Sequence, residues 1–210
     1  MSTFAEMQTN IASFLRRDDL SSDIPIAIKR AIKHYGNESW PWLEERSTAT
    51  LFTAADTRTV TPPSDMAYDL YMTVEVNSGK YPLTKKTQQY MEELYYDDTL
   101  TEQPFLYSFY DDVFYLYPIP DAIYELTLDY YEILAELSAG TDTNAWTTTA
   151  EELIEARAMW WLAATVMRNP SVANASKERE MDAYNRLRSR ATLQVSSGKL
   201  RSSATMGYRR

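Results

Sequence analysis

The apolar residues of this chain recur every three or four positions at both ends and alternate with polar ones through the middle. That change of period constrains the fold more than any single motif does. Thr3-Phe4-Ala5-Glu6 spells a capping box, in which hydroxyl and carboxylate satisfy each other's free backbone N–H groups. Phe4, Met7, Ile11, Phe14 and Leu15 follow at helical spacing, and the helix is expected to end near Arg16-Arg17, where cations suit its dipole. Asp23 and Pro25 open a second helix with Ile24, Ile28, Ala31, Ile32 and Tyr35 as its buried stripe and Gly36 as its close.

After NESWPWLEER the period drops to two. Residues 47–53 and 57–61 are rich in β-branched residues and read as a hairpin joined across Ala54-Ala55-Asp56, broken by Pro62-Pro63. Residues 64–83 read as a helical turn and then a strand, Leu70 to Val76, with Asn77-Ser78-Gly79 as a turn. Thr84 to Tyr95 reads as a short helix capped by Thr84. The aromatic stretch FLYSFYDDVFYLYPIP, residues 105–120, reads as two strands around Tyr110-Asp111-Asp112, and Ala122 to Tyr131 as a third.

Helical spacing returns after Gly140. Thr149-Ala150-Glu151-Glu152 is a second capping box, opening a helix that is apolar nearly all round and must be surrounded by other elements. Asn169-Pro170 ends it. Ser171 is expected to cap a last helix with Ala175, Met181, Tyr184, Leu187 and Ala191 inward.

These elements predict an α+β fold: a helical bundle from residues 1–45 and 140–195, a β-rich insertion (a hairpin or small sheet) over 46–139, and a flexible basic C-terminal tail over 196–210. No apolar run approaches the ~18–20 residues of a membrane span, so the chain is expected to be soluble. The N-terminal stretch lacks the charge-then-apolar order of a signal peptide.

Several kinds of chemistry are excluded or weakened by what is absent. Without Cys there is no disulfide framework, Cys-based zinc site or Cys nucleophile. His34 is the one histidine, no GxSxG or phosphate-loop pattern occurs, and five glycines leave little material for phosphate cradles. Neither catalytic residues nor metal ligands nor a cofactor are expected. The paired acids Asp97-Asp98, Asp111-Asp112, Glu132 with Glu136, and Glu151-Glu152 invite comparison with glycosidase carboxylates, but adjacent acids suit turns and helix starts better.

Charge then separates the possible partners. The net charge is -9, yet residues 177–210 hold nine Lys or Arg against three acids, which leaves -15 for the first 176 residues. Between Glu44 and Glu136 there are 18 acids and five bases, with no base between Lys86 and Glu136, so the aromatic stretch is a poor platform for nucleic acid. Sugar binding by its Tyr and Asp residues remains open, in a carbohydrate- or cell-wall-binding module, alongside a role as sheet core and subunit interface.

The order of landmarks resembles a known family. IPIAIKRAIKHYGNESWPW, TVTPPSDMAYDLYMTVEV, EQPFLYSFYDDVFYLYPIPDAIYELTLDYY and NAWTTTAEELIEARAMWWLAATVMRNP with a closing helix resemble the head-to-tail adaptor proteins of tailed bacteriophages, also called gatekeeper or tail tubular proteins. Tyr107 to Tyr117 look like the family's hairpin, Trp146 like the aromatic before the capped helix, and Ala156, Ala163 and Ala164 like its tightly packed core. The resemblance implies a structural virion protein of the neck: a ring, commonly of twelve copies, beneath the portal protein, extending the channel through which viral DNA passes and offering a docking platform to the tail or nozzle protein. It also implies that the C-terminal segment runs along the portal, which makes Lys199, Leu200, Arg201, Met206, Tyr208, Arg209 and Arg210 portal-binding candidates. The hairpin residues Phe109, Tyr110, Asp111, Asp112 and Phe114 are expected to meet a neighbouring subunit or the tail protein.

Overall fold

The computed structural model describes residues 2–95 and 100–199, the side chains of 44–50 and 193–199 excepted. The chain forms two compact units, one built from the residues up to Trp42 together with those from Leu134 onward, the other from Leu43–Ile133.

The first unit is helical. Helix α1 (Phe4–Leu15) begins with the capping box read from sequence: the Glu6 N–H donates to the Thr3 hydroxyl at 3.2 Å and the Thr3 N–H to the Glu6 carboxylate at 2.8 Å. Two further N–H groups of its first turn donate to the chain itself, Phe4 to the Asp142 carbonyl at 3.0 Å and Ala5 to that of Gly140 at 2.9 Å. Helix α2 (Asp23–Tyr35) buries Ile24, Ala27, Ile28, Ala31 and Tyr35.

The second unit corrects the expected fold class. In place of a helical bundle carrying a small β insertion, the protein is mixed α/β, with a seven-stranded sheet that curls into a nearly closed barrel. Its strands are β1 (Glu44–Phe52), β2 (Thr59–Val60), β3 (Met66–Val76), β4 (Gly79–Lys85), β5 (Leu106–Tyr110), β6 (Val113–Tyr117) and β7 (Glu125–Glu132). They lie in the order β1-β7-β3-β4-β5-β6-β2, antiparallel except for β4 with β5. The expected 47–53/57–61 hairpin is reduced to one bridge, Ala54 with Thr57. Its two arms become the opposite edges of the sheet, β1 on β7 and β2 on β6. That short link between the edges is what brings the sheet close to closure.

The start of one strand, read at Leu70 to Val76, and the whole of another escaped the sequence pattern for physical reasons. The strand β3 begins at Met66, not after a helical turn, because irregularities between Met66 and Tyr68 and between Asp69 and Tyr71 interrupt its alternation. In β4, Pro82 argues against a strand. It is tolerated because β4 has only β3 beside it there, the pairing with β5 starting at Thr84. Thr84 is therefore a strand residue, and helix α3 (Gln88–Leu94) is capped by Thr87 instead.

The aromatic stretch is folded as the hairpin of β5 and β6. Asp111 and Asp112 take φ of 52° and 56°, the two left-handed residues of a tight two-residue turn. One face fills the barrel, where Tyr107, Phe114 and Leu116 pack with Val74, Leu126 and Leu128 and with half-buried Phe109. The other lies under α3, where Leu106, Tyr115 and Tyr117 meet Met91 and Tyr95.

The helical unit resumes with α4 (Ala145–Thr148), α5 (Glu151–Trp161), a π turn over Leu162–Val166, and α6 (Pro170–Lys199). The capping box expected at Thr149 is not formed: Ala150 precedes α5 without a side-chain cap, and the box sits one helix earlier, Asn144 with Thr147. Asn169, not Ser171, caps α6, accepting from the Val172 N–H at 3.3 Å, with Pro170 at the first helical position. As the all-round apolar pattern requires, α5 is packed by α1, α2, α4 and α6. The inward face of α6 differs from expectation: Ala173, Ser176, Glu180, Ala183 and Ala191 are buried, whereas Met181 is 57% exposed. Helix α6 also continues to Lys199, past the point where a tail was expected to start.

Phe114 is fully buried between the cross-strand neighbours Phe109 and Val60. Phe114→Ala is therefore expected to lower the unfolding free energy by about 3–5 kcal/mol in a urea titration. Tyr110→Ala, at the exposed tip of the same hairpin, is expected to stay within about 0.5 kcal/mol of the parent.

Candidate functional site

The residues singled out in the sequence fall into three places. Phe109 and Phe114 belong to the barrel interior, and their rings meet at 5.1 Å. Tyr110, Asp111 and Asp112 form the exposed hairpin tip. Lys199 ends α6, and Leu200, Arg201, Met206, Tyr208, Arg209 and Arg210 lie outside the described residues.

The acids suspected of chemistry have local roles instead. Asp111-Asp112 make the hairpin turn. Glu151-Glu152 open α5, where Glu152 faces Arg186 at 2.8 Å and Arg179 at 3.8 Å, and Glu136 pairs with Lys29 at 2.7 Å. Asp97-Asp98 lie outside the described residues. His34 is an exposed residue of the last turn of α2, its ring edge-on to Tyr35 at 4.8 Å. Among the described residues no group of three or more His, Asp or Glu side chains is placed to hold a metal ion, and no helix is long and apolar enough to cross a membrane. On the hairpin Tyr107 is 2% exposed and Tyr115 and Tyr117 are partly buried under α3, while Phe105 and Tyr110 at its ends are exposed.

Two buried carboxylates of the helical unit were not anticipated. Glu180, 2% exposed on α6, accepts from the Tyr35 hydroxyl of α2 at 2.6 Å, from Arg157 Nη1 of α5 at 3.1 Å and from Lys177 Nζ at 3.1 Å. Burial first, and the adjacent carboxylate second, raise the Tyr35 hydroxyl pKa far above its ordinary value, so it stays a donor. The signal in the sequence was the run of small residues Ala173, Ser176 and Ala183 at helical spacing with Glu180 in line, overshadowed by bulkier apolar residues on the opposite side. Glu155 on α5 accepts from Asn10 Nδ2 of α1 at 3.0 Å. Desolvation raises its pKa above the usual carboxylate value, against the opposing hydrogen bond from Asn10.

Near the exit of the helical unit, Trp40 stacks on Trp42 at 4.6 Å and Trp42 meets Trp146 edge-on at 6.3 Å. Arg188 of α6 lies over Trp40 at 4.3 Å, donates to the Ser39 carbonyl at 3.1 Å and pairs with Glu38. In the sheet unit, Asp69, whose side chain is 4% exposed, accepts from the Tyr107 hydroxyl at 2.9 Å and from Lys85 Nζ at 2.6 Å, joining β3 to the ends of β4 and β5 where the ladder turns parallel. These networks hold elements together. Tyr35, Lys177 and Glu180 also border an open groove of about 370 Å³, together with Glu38 and Tyr184.

Most buried polar groups described above are paired within their own unit, Trp42 Nε1 and Ser176 Oγ excepted, and charge and aromatics are presented at exposed turns. The family model described as SU10 adaptor protein matches residues 2–206, and the chain belongs to this family of phage adaptor proteins. It is accordingly a structural component of a bacteriophage virion, acting on other head or tail components. No curated protein matches it.

Glu180→Ala strands Arg157 and Tyr35 without their acceptor and is expected to cost about 3–5 kcal/mol in denaturant titrations. Glu155 should behave differently. A carboxyl whose folded pKa is raised weakens the fold above that value and ceases to do so below the unfolded value near 4.5. Glu155→Gln, which keeps an acceptor for Asn10, is expected to melt higher than the parent at pH 8, with the difference closing as the pH falls towards 4.

Proposed function

We propose that the protein is a head-to-tail adaptor subunit, copies of which form a dodecameric ring beneath the portal, extend the DNA channel and present a docking platform to the tail or nozzle protein. The observation that carries the reading is the family match over residues 2–206, which takes in both units and most of the basic C-terminal segment. The rest of the chain is compatible with it. An acidic body repels DNA phosphates and so suits a wall past which DNA slides. Residues 200–210 carry three arginines and no acid, a composition suited to ordering against an acidic partner surface.

In this reading the segment from Lys199 to Arg210 grips the portal, with Lys199, Arg201, Arg209 and Arg210 supplying charge and Leu200, Met206 and Tyr208 supplying apolar contact. The hairpin tip meets a neighbouring component. The protein acts in the neck of the virion, between capsid and tail.

A chain ending after Lys199 retains all of α6. Mixed with purified portal rings and followed by co-elution and negative-stain electron microscopy, it is expected to bind at least about tenfold more weakly than the full chain. Docking equal to that of the full chain would show the portal-gripping role of the segment to be wrong.

A further inference from the structure

A groove of about 350 Å³ runs between α2 and the C-terminal end of α5, with Ala27, Arg30, Lys33, His34, Arg157 and Trp161 among its lining residues. Its charge is opposite to that of the chain as a whole, which is -9. Arg157 is committed to Glu180, but Arg30 and Lys33 are exposed, and neither side chain pairs with an acid among the described residues. The Arg30 guanidinium lies over the Trp161 ring at 4.8 Å, which holds it at the groove instead of leaving it to sweep through solvent. The π turn over Leu162–Val166 begins directly after Trp161, so the regular helix ends where that wall of the groove stands. The combination is two free cations, one of them held in place, beside an aromatic wall.

The hairpin tip carries the matching chemistry. Tyr110 is 57% exposed, and Asp111 and Asp112 project beside it from a turn whose backbone is set at φ 52° and 56°. Neither carboxylate makes an ion pair or hydrogen bond among the described residues. We propose that the groove between α2 and α5 receives the Tyr110-Asp111-Asp112 turn of a neighbouring copy of this chain, with Arg30 and Lys33 taking the two carboxylates and Tyr110 stacking towards Trp161. The proposal rests on the ring reading above and supplies its subunit contact. A turn that docks in a different patch on the next copy makes a heterologous contact, the kind that closes into a ring when repeated around an axis.

The magnitudes explain why both parts of the contact are needed. Exposed ion pairs contribute little by themselves because solvent screens them and ordering the side chains costs entropy. They set register and speed of encounter, while an aromatic anchor entering a partly desolvated groove carries the affinity. Duplex DNA is the weaker candidate for this groove. Phosphate binding draws on an array of cations along a backbone, whereas only two are free here in a chain with 30 acids and 21 bases.

The chain has no cysteine, so single-cysteine versions report one contact each. Full-length Asp112→Cys and Lys33→Cys chains, mixed in the presence of portal rings and treated with a short bis-maleimide, are expected to yield a dimer containing one of each. Pairing Asp112→Cys with Ser189→Cys, an exposed position on α6, is expected to yield none. Asp111→Lys with Asp112→Lys, and separately Arg30→Glu with Lys33→Glu, are each expected to reduce ring assembly about tenfold, and mixing the two reversed chains to restore their contact. Rescue in the mixture cannot come from chains that merely fail to fold. Rings of the parent chain without the mixed dimer and without rescue would overturn the groove contact and leave the ring reading standing. Failure of the parent chain to form rings with the portal would overturn both. A groove reversal that removes binding to a short DNA duplex yet leaves the rings intact would assign the groove to phosphate and overturn the proposal.

Discussion

A carboxylate withdrawn from water must be met by donors or neutralised, and Glu180 is met by donors from three helices. Tyr35 comes from the second helix of the chain, Arg157 from the fifth, and Lys177 from one turn earlier on the sixth. Because the charge tolerates no other arrangement cheaply, it fixes the rotation of α6 about its own axis. Small residues at Ala173, Ser176 and Ala183 share that inward face and leave room for α5 to approach. Farther along α6, Arg188 lies over Trp40 and is held by Glu38 and Ser39, at the segment from which the chain leaves for the sheet. The helical unit is thereby specified by a few polar contacts laid over an apolar core that would otherwise accept several helix rotations.

The features legible in the sequence were those decided locally. The Thr3–Glu6 capping box and the Asp111-Asp112 turn each depend on residues a few positions apart, and each is formed as read, whereas α5 is formed but stops at Trp161 without its expected cap. The extent of the sheet was not legible, because strand partnership is set by which faces are buried and not by adjacency along the chain. β1 and β2 are neighbours in sequence and opposite edges in space, while β7 takes β1 and β3 on its two sides. Bulges in β3 hid its first residues, Met66 to Asp69, ahead of the strand read at Leu70 to Val76, and Pro82 hid β4. At the start of α6 a competing cap explains the error, since Asn169 took the role that Ser171 had the chemistry to fill, whereas α5 starts at Ala150 with no side-chain cap and the Asn144 box belongs to α4.

The surfaces divide in the same way. A hairpin tip is visible in a one-dimensional pattern, since its turn residues are consecutive. The cationic groove is not, since Arg30 and Lys33 stand one turn apart on α2 while Arg157 and Trp161 come from a distant part of the sequence. Membership of the adaptor family rests on the chain as a whole, in keeping with a protein whose features are patterns of packing and turns with no compact signature.

The split composition of the helical unit has a consequence in time. The sheet unit is one continuous stretch, 43–133, so all of its strands exist once that stretch has been synthesised. The helical unit must wait, because α5 and α6 come after the sheet while α1 and α2 come before it. A groove with one wall from α2 and the other from α5 does not exist on a nascent chain. In the proposed contact the hairpin is complete early and the groove late, so chains emerging side by side on one message would have no groove to offer one another until each is nearly finished.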